Sequence, residues 1–244
     1  MKKINKEQIM GFDVCTVNKD KIIKNIFIDY QKGEQLFIVN INPEIVINNY
    51  KNNYIKNIFN KQKYQIPDGI GIVYASKINK GKIKERITGI DLMQDICKES
   101  IKHDSKIYLF GSKPGIASKA SKELKNKYKR LNIVGCSDGY GDEKTVVENI
   151  RKTKADIVFV GLGSPKQEDF IIRNMQTLSN VKIFVPVGGS FDVISNTLKR
   201  APQKMIDLNL EWLYRLLQEP KRIFRQLNLV KFILLIFLNR NGRK

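Results

Sequence analysis

The stretch that decides the fold is Ala155–Phe170, which reads Ala-Asp-Ile-Val-Phe-Val-Gly-Leu-Gly-Ser-Pro-Lys-Gln-Glu-Asp-Phe. It contains a continuous apolar run, Ile157–Val160, which is typical of a strand buried on both faces of a parallel sheet. Gly161 and Gly163 then end the run, and a polar segment follows. This order predicts a strand, a tight glycine loop and the start of a helix.

The start of that helix carries its own signals. Ser164 can cap a helix, Pro165 suits the first helical position, and Gln167 stands where a capping box has its second partner. Ligands of α/β proteins bind where strands end at the carboxyl edge of the sheet. Free backbone N–H groups at a helix start also favour phosphate. The loop is therefore a candidate phosphate-binding site, at which Gln167 can cap the helix and also contact a ligand.

The rest of the chain repeats this alternation of strand and helix. Further strands are predicted at Gln8–Phe12, Gln35–Asn40, Lys106–Phe110, Asn132–Gly135 and Val181–Val187. The intervening helices are predicted to end near Tyr30, Lys77, Ile101, Tyr128, Lys152 and Leu178. Strands that alternate with helices indicate the α/β class, with a Rossmann-like, mostly parallel sheet flanked by helices.

The charge of the chain predicts an anionic partner. Lys and Arg number 44 against 24 Asp and Glu, a net charge of +20 over 244 residues. Such an excess suits nucleic acid, an anionic lipid surface or a phosphorylated substrate, although a solvated basic surface is the simpler interpretation. The sequence contains no recognised nucleic-acid-binding motif, so we expect no nucleic-acid partner.

The cysteines and histidine argue against two kinds of site. Cys15, Cys97 and Cys136 are far apart and odd in number, and His103 is the single histidine. A zinc centre or a disulfide framework is therefore not expected, and the thiols suit a cytoplasmic protein. Asp138, Asp142 and Glu143 are interpreted as a loop and helix start, and no metal site is predicted.

The composition changes after about Asn196, which suggests a core of residues 1–196 and a C-terminal appendage of residues 197–244. Residues 199–244 hold 11 Lys and Arg against three acids, a net charge of +8. The apolar patch Phe232–Leu238 is far shorter than the ~20 residues needed to span a bilayer. A basic amphipathic segment of this kind is typical of a helix lying on a membrane surface. The alternative is a helix packed on the core, with its basic residues forming the solvent face.

Two single residues have open interpretations. Asp68 lies in a Pro-Asp-Gly turn, where a carboxylate serves turn geometry or acts as a general base. Arg86 precedes a predicted helix start and is a surface residue or a clamp for phosphate. The loop at Gly161 is not a dinucleotide fingerprint, because Lys166 replaces the third glycine.

Six stretches in order resemble one family, the bacterial WecG/TagA/CpsF glycosyltransferases (glycosyltransferase family 26). They are Asn40–Glu44, Pro67–Gly71, Arg86–Asp91, Gly161–Glu168, Gly188–Asp192, and Arg200–Pro202 leading into Leu210–Arg222. Each is weak alone, but together they cover nearly the whole chain.

The resemblance implies an inverting, metal-independent transferase without a cofactor. Its donor would be UDP-N-acetylmannosamine, and its acceptor the lipid-linked N-acetylglucosaminyl-diphospho-undecaprenol, as in teichoic acid linkage-unit synthesis. Such an enzyme would be peripheral on the inner face of the cell membrane. A homo-oligomer is possible. UDP-glucose or UDP-N-acetylmannosaminuronic acid as donor, and a regulatory UDP-sugar binder without catalysis, stay open as alternatives.

The resemblance also assigns roles to residues. It implies that Asp68 is the catalytic base. The substrate-binding residues it implies are Asn40, Asn42, Arg86, Gln167, Gly188 and Asp192 in the core, and Arg215, Arg222 and Arg225 in the appendage. Two positions depart from the family pattern: Asn40 stands where some members carry Thr, and Lys221 stands where arginine is frequent.

Overall fold

The protein is described from a computed structural model, which covers residues 4–220 and 223–241. Its strands are β1 (Lys6–Ile9), β2 (Phe12–Cys15), β3 (Leu36–Ile41), β4 (Tyr64–Pro67), β5 (Ile107–Gly111), β6 (Ile133–Ser137), β7 (Ile157–Gly161) and β8 (Ile183–Pro186). Its helices are α1 (Lys19–Gln31), α2 (Pro43–Asn49), α3 (Asn53–Lys61), α4 (Ile70–Ile78), α5 (Gly89–Ser100), α6 (Ile116–Lys127), α7 (Glu143–Lys152), α8 (Lys166–Asn174), α9 (Ser190–Ile194), α10 (Gln203–Asp207), α11 (Glu211–Gln218) and α12 (Ile223–Asn241).

Six strands form one parallel sheet in the order β4-β3-β8-β7-β5-β6. Because successive side chains of a strand point to opposite faces, each strand contributes to both sides of the core. In β7, Val158 and Val160 join one apolar cluster, while Ile157 and Phe159 join the other. Helices cover both faces, so the prediction of an α/β protein with a Rossmann-like sheet is confirmed.

The connections out of β3 and β8 create a crevice between these neighbouring strands. The helix after β3, α2, packs into one cluster through Ile45 and Val46. The helix after β8, α9, packs into the other through Phe191. Where loops leave adjacent parallel strands toward opposite faces, a cleft opens at the carboxyl edge of the sheet.

The amino-terminal strand prediction was wrong. Gln8–Phe12 is not one strand but contains the turn of an antiparallel hairpin, in which Ile9 pairs with Phe12. Met10 and Gly11 form this two-residue turn, and both have positive φ. The turn lacks the Asn-Gly or Asp-Gly pair that usually marks such hairpins, which explains why the sequence did not reveal it.

The C-terminal residues form α10, α11 and α12, and α12 packs on the core. Phe232 and Ile236 of α12 are buried in the cluster that also contains α2 and α4 residues. Within residues 4–220 and 223–241, no helix is both long and apolar enough to cross a membrane.

The close approach of β5 and β7 at the cleft gives a first prediction. Gly111 has φ +133°, and a Cβ there would overlap the backbone of Gly161. We expect Gly111→Ala to lower the free energy of unfolding by at least about 2 kcal/mol, since both backbone strain and overlap oppose it. Urea unfolding followed by circular dichroism measures this.

The matched control is Gly141→Ala, where a Cβ meets nothing within 4 Å. Its free energy of unfolding should stay within about 0.5 kcal/mol of the parent value. Equal effects of the two substitutions would contradict the packing argument.

Candidate active site

A cleft of about 680 Å³ lies along the carboxyl edge of the sheet. Eight of the predicted site residues line it: Asn40, Asn42, Asp68, Arg86, Gln167, Gly188, Asp192 and Arg215. Arg222 lies outside the described residues, and of Arg225 only the backbone, within α12, is described. The structure thus gathers residues from both ends of the chain into one site.

Asp68 follows β4 directly and is half-buried at the cleft. Its backbone N–H donates to the Ile41 carbonyl at 2.8 Å, which continues the pairing of β3 with β4. Gly69 then takes φ +88°, a conformation that suits glycine, so the chain turns sharply into α4. The turn leaves the Asp68 carboxylate facing the cleft rather than bonded to the helix start.

Burial raises the pKa of Asp68 to about 6, from an ordinary value of 3.8. A hydrogen bond from Asn42 and the positive charges of Arg215 and Arg86 oppose this rise, and the negative charge of Glu211 adds to it. A carboxylate with a pKa near 6 is ionised at neutral pH and yet more basic than a surface aspartate. That combination suits a general base.

Asn42 connects Asp68 to α2. Its Oδ1 accepts a hydrogen bond from the N–H of Ile45 at 2.9 Å, which caps α2, and its Nδ2 donates to Asp68 Oδ2 at 3.5 Å. Capping fixes the side chain, so the amide is held toward the carboxylate.

Asn40 is 6% exposed and lies near the end of β3, beside β8. Its Nδ2 donates to the Pro186 carbonyl at 2.8 Å, which fixes the orientation of the amide. Its Oδ1 has no hydrogen-bond partner among the described residues. Because a buried polar atom without a partner is costly, this oxygen is suited to accept a hydrogen bond from a ligand or water in the cleft.

The capping prediction for Ser164 and Gln167 was wrong. α8 begins at Lys166, its N-cap is Pro165, and no side-chain cap bond is made. The Gln167 side chain instead spans to the loop after β8, where its Oε1 accepts from the Gly188 N–H at 2.9 Å. The physical reason is that the Gln167 Nε2 also donates to Oε1 of the buried Glu168 at 2.9 Å, so both ends of the Gln167 amide are engaged outside a capping box.

Arg86 lies in the loop before α5, which β4 holds in place through a bond from the Ile87 N–H to the Pro67 carbonyl. Its guanidinium contacts Glu211 of α11 at 3.5 Å, and the same carboxylate contacts Arg215 at 3.3 Å. Sequence reasoning missed Glu211. The available signal was its position four residues before Arg215, a spacing that pairs opposite charges on a helix.

A second network supports the same loop. Thr88 caps α5, and its hydroxyl donates to Asp91, which also pairs with Arg200 at 2.5 Å. Burial opposes ionisation of Asp91, but Thr88 and the Arg200 guanidinium hold the pKa of Asp91 below its ordinary value. The Arg86–Asp91 stretch is therefore anchored at both ends.

The far end of the cleft holds groups that sequence reasoning did not select. Lys113 and Lys166 line it and are exposed, and each follows a strand end by a few residues. Ser112 donates to Asp192 at 3.2 Å, which links the β5 and β8 loops. The position of these lysines just after strands was the signal that could have found them.

The acidic residues near α7 have the local roles predicted for them. Asp142 caps α7 by accepting from the Thr145 N–H, and Glu143 pairs with Arg173. Asp138 accepts from the N–H of Tyr140 in the preceding loop.

Comparison with known proteins agrees with this geometry. The model of the glycosyl transferase WecG/TagA/CpsF family matches residues 7–244. A Bacillus subtilis (strain 168) protein named N-acetylglucosaminyldiphosphoundecaprenol N-acetyl-beta-D-mannosaminyltransferase is 34% identical over 89% of this chain and 88% of its own length.

Two further relatives bear the same name. One from Bacillus spizizenii is 34% identical over 86% of this chain and 81% of its own length. One from Staphylococcus aureus (strain MRSA252) is 35% identical over 90% of this chain and 87% of its own length. A match that spans the sheet, the cleft and the C-terminal helices establishes that the chain belongs to the WecG/TagA/CpsF family of glycosyltransferases.

Proposed function

We propose that this protein transfers N-acetylmannosamine, with inversion, from UDP-N-acetylmannosamine to N-acetylglucosaminyl-diphospho-undecaprenol. The observation that carries the proposal is Asp68, a carboxylate with a raised pKa that faces a cleft lined by two arginines. The relatives' names supply the sugar and the lipid-linked acceptor. The teichoic acid linkage unit, or a related surface polysaccharide, would be the product pathway.

In the proposed reaction, Asp68 takes the proton from the acceptor hydroxyl. The hydroxyl oxygen attacks the anomeric carbon of the donor sugar, the bond from that carbon to the phosphate oxygen breaks, and UDP leaves. A single base and attack from the face opposite the leaving group invert the anomeric centre. Asn42 would hold Asp68 for this step, since it bonds both the carboxylate and α2.

The leaving diphosphate would be stabilised by cationic side chains, without a metal ion. Arg86 and Arg215 line the Asp68 end of the cleft, and Lys113 and Lys166 line the rim across from them. Fixed cations placed where charge develops stabilise the transition state more than the ground state. Arg222 and Arg225 stay proposed contributors from the appendage.

Polar groups in the middle of the cleft would bind the donor. The unpartnered Oδ1 of Asn40 suits an N–H or hydroxyl donor on the sugar. Gln167, Gly188 and Asp192 form the neighbouring wall between β7 and β8, joined by the Gln167–Gly188 hydrogen bond.

We also propose that α12 places the enzyme on the inner face of the membrane. The alternative of a helix packed on the core predicts a basic solvent face, but the exposed side chains that the structure describes in α12 are mainly apolar. Its exposed apolar residues are Ile223, Leu227, Val230, Leu234, Phe237 and Leu238. An apolar face beside basic residues such as Lys231 is suited to the interface of an anionic bilayer.

The proposed base gives a prediction on pH. A carboxyl group that is protonated cannot accept the acceptor's proton, so kcat/KM should fall about tenfold per pH unit below pH 6 and level off above about pH 7. Asp68→Asn should lower kcat by roughly 10²- to 10⁴-fold at pH 7.5. Initial rates of UDP release over pH 5–8 measure both effects.

Asp104→Asn is the control, because Asp104 is exposed and precedes β5 at the opposite edge of the sheet. It should leave the pH profile unchanged. If Asp68→Asn keeps most of the turnover while thermal melting shows a folded protein, Asp68 is not the base.

The donor is tested with a panel of UDP-sugars and a short-chain lipid acceptor analogue. We expect transfer from UDP-N-acetylmannosamine, and at least tenfold lower kcat/KM with UDP-glucose or UDP-N-acetylmannosaminuronic acid. Activity should persist in excess EDTA, because arginines and lysines supply the positive charge at the leaving group. Preferred use of the uronic donor would assign the enzyme to a different polymer, and loss of activity in EDTA would contradict the metal-independent step.

The membrane proposal is tested on α12. Replacing Leu227 and Leu234 by Glu places two charges on the exposed apolar face. Each leucine contributes about 1.5–3 kcal/mol when fully buried, so binding to vesicles of phosphatidylglycerol and phosphatidylcholine should fall at least tenfold. Vesicle co-sedimentation measures the loss.

The matched control is Ile28→Glu, since Ile28 is an exposed apolar residue of α1, far along the chain from the appendage. It should bind vesicles as the parent does. Unchanged vesicle binding by the α12 variant would contradict the proposal. The proposal would also be contradicted if the parent is a stable dimer, and the variant is a monomer that binds vesicles as well as the parent does.

A further inference from the structure

Glu211 is a buried acid in the cleft with no role in the proton transfer or the sugar binding described above. It opens α11 and is 5% exposed. A buried carboxylate is tolerated when cations or hydrogen-bond donors satisfy it. The role of Glu211 therefore depends on the groups that contact its carboxylate.

Its two partners come from distant parts of the chain. Oε2 contacts Nη2 of Arg86, in the core loop, at 3.5 Å, and Oε1 contacts Nη2 of Arg215, one helical turn further along α11, at 3.3 Å. Each guanidinium uses one nitrogen for this contact, so neither makes the two-point fork that would engage its whole edge. Both arginines line the cleft.

A carboxylate between two guanidiniums allows the two arginines to lie closer together than they could without it. Two positive charges repel each other, and a shared negative charge lets them lie close together. Arg86 also donates to the carbonyl of Ile206, in α10, at 3.3 Å, so this contact ties the core loop to the segment that leads into α11. The arginine pair is complete only when α11 is docked.

We propose that Glu211 is a positioning residue, which holds Arg86 and Arg215 side by side at the Asp68 end of the cleft and couples the docking of α11 to assembly of the cationic half of the site. This rests on the proposed function, in which the arginines serve the leaving diphosphate. Glu211 itself touches no reacting atom.

The charges around Asp68 provide a readout that a purely structural role would not move. The groups that act on it are Asn42 from α2, Arg86 from the core loop, and Arg215 and Glu211 from α11. The two arginines lower the pKa of Asp68, and Glu211 raises it. If Glu211 contributed only its own charge, Glu211→Gln would move the acid limb of the pH profile to lower pH. If Glu211 holds the arginines, its loss also removes their stronger opposing effect on Asp68, so the acid limb should move to higher pH, as it should in Arg215→Gln.

The experiment compares Glu211→Gln, Arg215→Gln, the double variant and the control Asp207→Asn in the full-length protein. Asp207 is exposed in α10 and bonds Gln203, so its replacement removes one negative charge nearby without touching either arginine. We expect Glu211→Gln to lower kcat/KM for the donor 10- to 100-fold and to shift the acid limb upward. The double variant should lose less than the sum of the two single losses, because part of the effect of Glu211 is exerted through Arg215.

Additive losses in the double variant, or an acid limb that moves downward or not at all in Glu211→Gln, would overturn the proposal. Asp207→Asn should match the parent in rate and pH profile, and an equal shift in this control would show a general charge effect and overturn it as well.

Limited trypsin digestion of the ligand-free protein separates this proposal from the proposed function. Cleavage after Lys204 and Arg215 should be faster in Glu211→Gln than in Asp207→Asn, because α11 loses its contact with the core. If the parent transfers no sugar from any donor but this difference in cleavage is present, the proposed function fails while the docking role of Glu211 holds. Equal cleavage rates would overturn the docking role.

Discussion

The structure depends on one constraint, the common direction of six parallel strands. Because the carboxyl ends of such strands meet at one edge, residues far apart in sequence are brought together there, although no sequence motif marks them as neighbours. Asn40 is the next-to-last residue of β3, Asp68 follows β4, and Gln167 lies at the start of α8, after β7. Each carries a polar side chain where the apolar run of its strand stops. Hydrogen bonds between neighbouring loops, such as Gln167 to Gly188, then fix the wall of the cleft.

Much of this could be predicted from the sequence, because the signals are local. The strand, glycine loop and helix start at residues 157–170 rest on neighbouring residues only, and the structure has β7, a loop and α8 there. Asp68 could be selected as a candidate but not placed, since Pro-Asp-Gly predicts a turn without saying what the carboxylate faces. Its raised pKa arises from burial by segments that lie elsewhere in the chain.

The failures have equally specific causes. β4 was not recognised because its four residues include Gln65, a buried amide that interrupts the apolar pattern. Its Nε2 donates to the carbonyls of Phe59 and Gln62. α3 was not recognised because its sequence is rich in Asn and Lys and only Phe59 is fully buried. The Ser164 cap was predicted wrongly because Gln167, its expected partner, bonds the Gly188 N–H and the Glu168 carboxylate instead. In each case a tertiary contact outweighs a local preference.

The C-terminal segment shows why charge counting alone gives an incomplete description. Its excess of Lys and Arg suggested one apolar face and one basic face, but α12 has two apolar faces. Phe232 and Ile236 are buried against the core, while Leu227 and Leu234 on another side are exposed. A helix that is apolar on more than one side is stable where each of those sides is covered. The core covers one side of α12, which leaves the other for the membrane contact proposed above. Because α11, which carries Glu211 and Arg215, precedes α12 in the chain, membrane contact by α12 and completion of the cationic site by α11 would be linked.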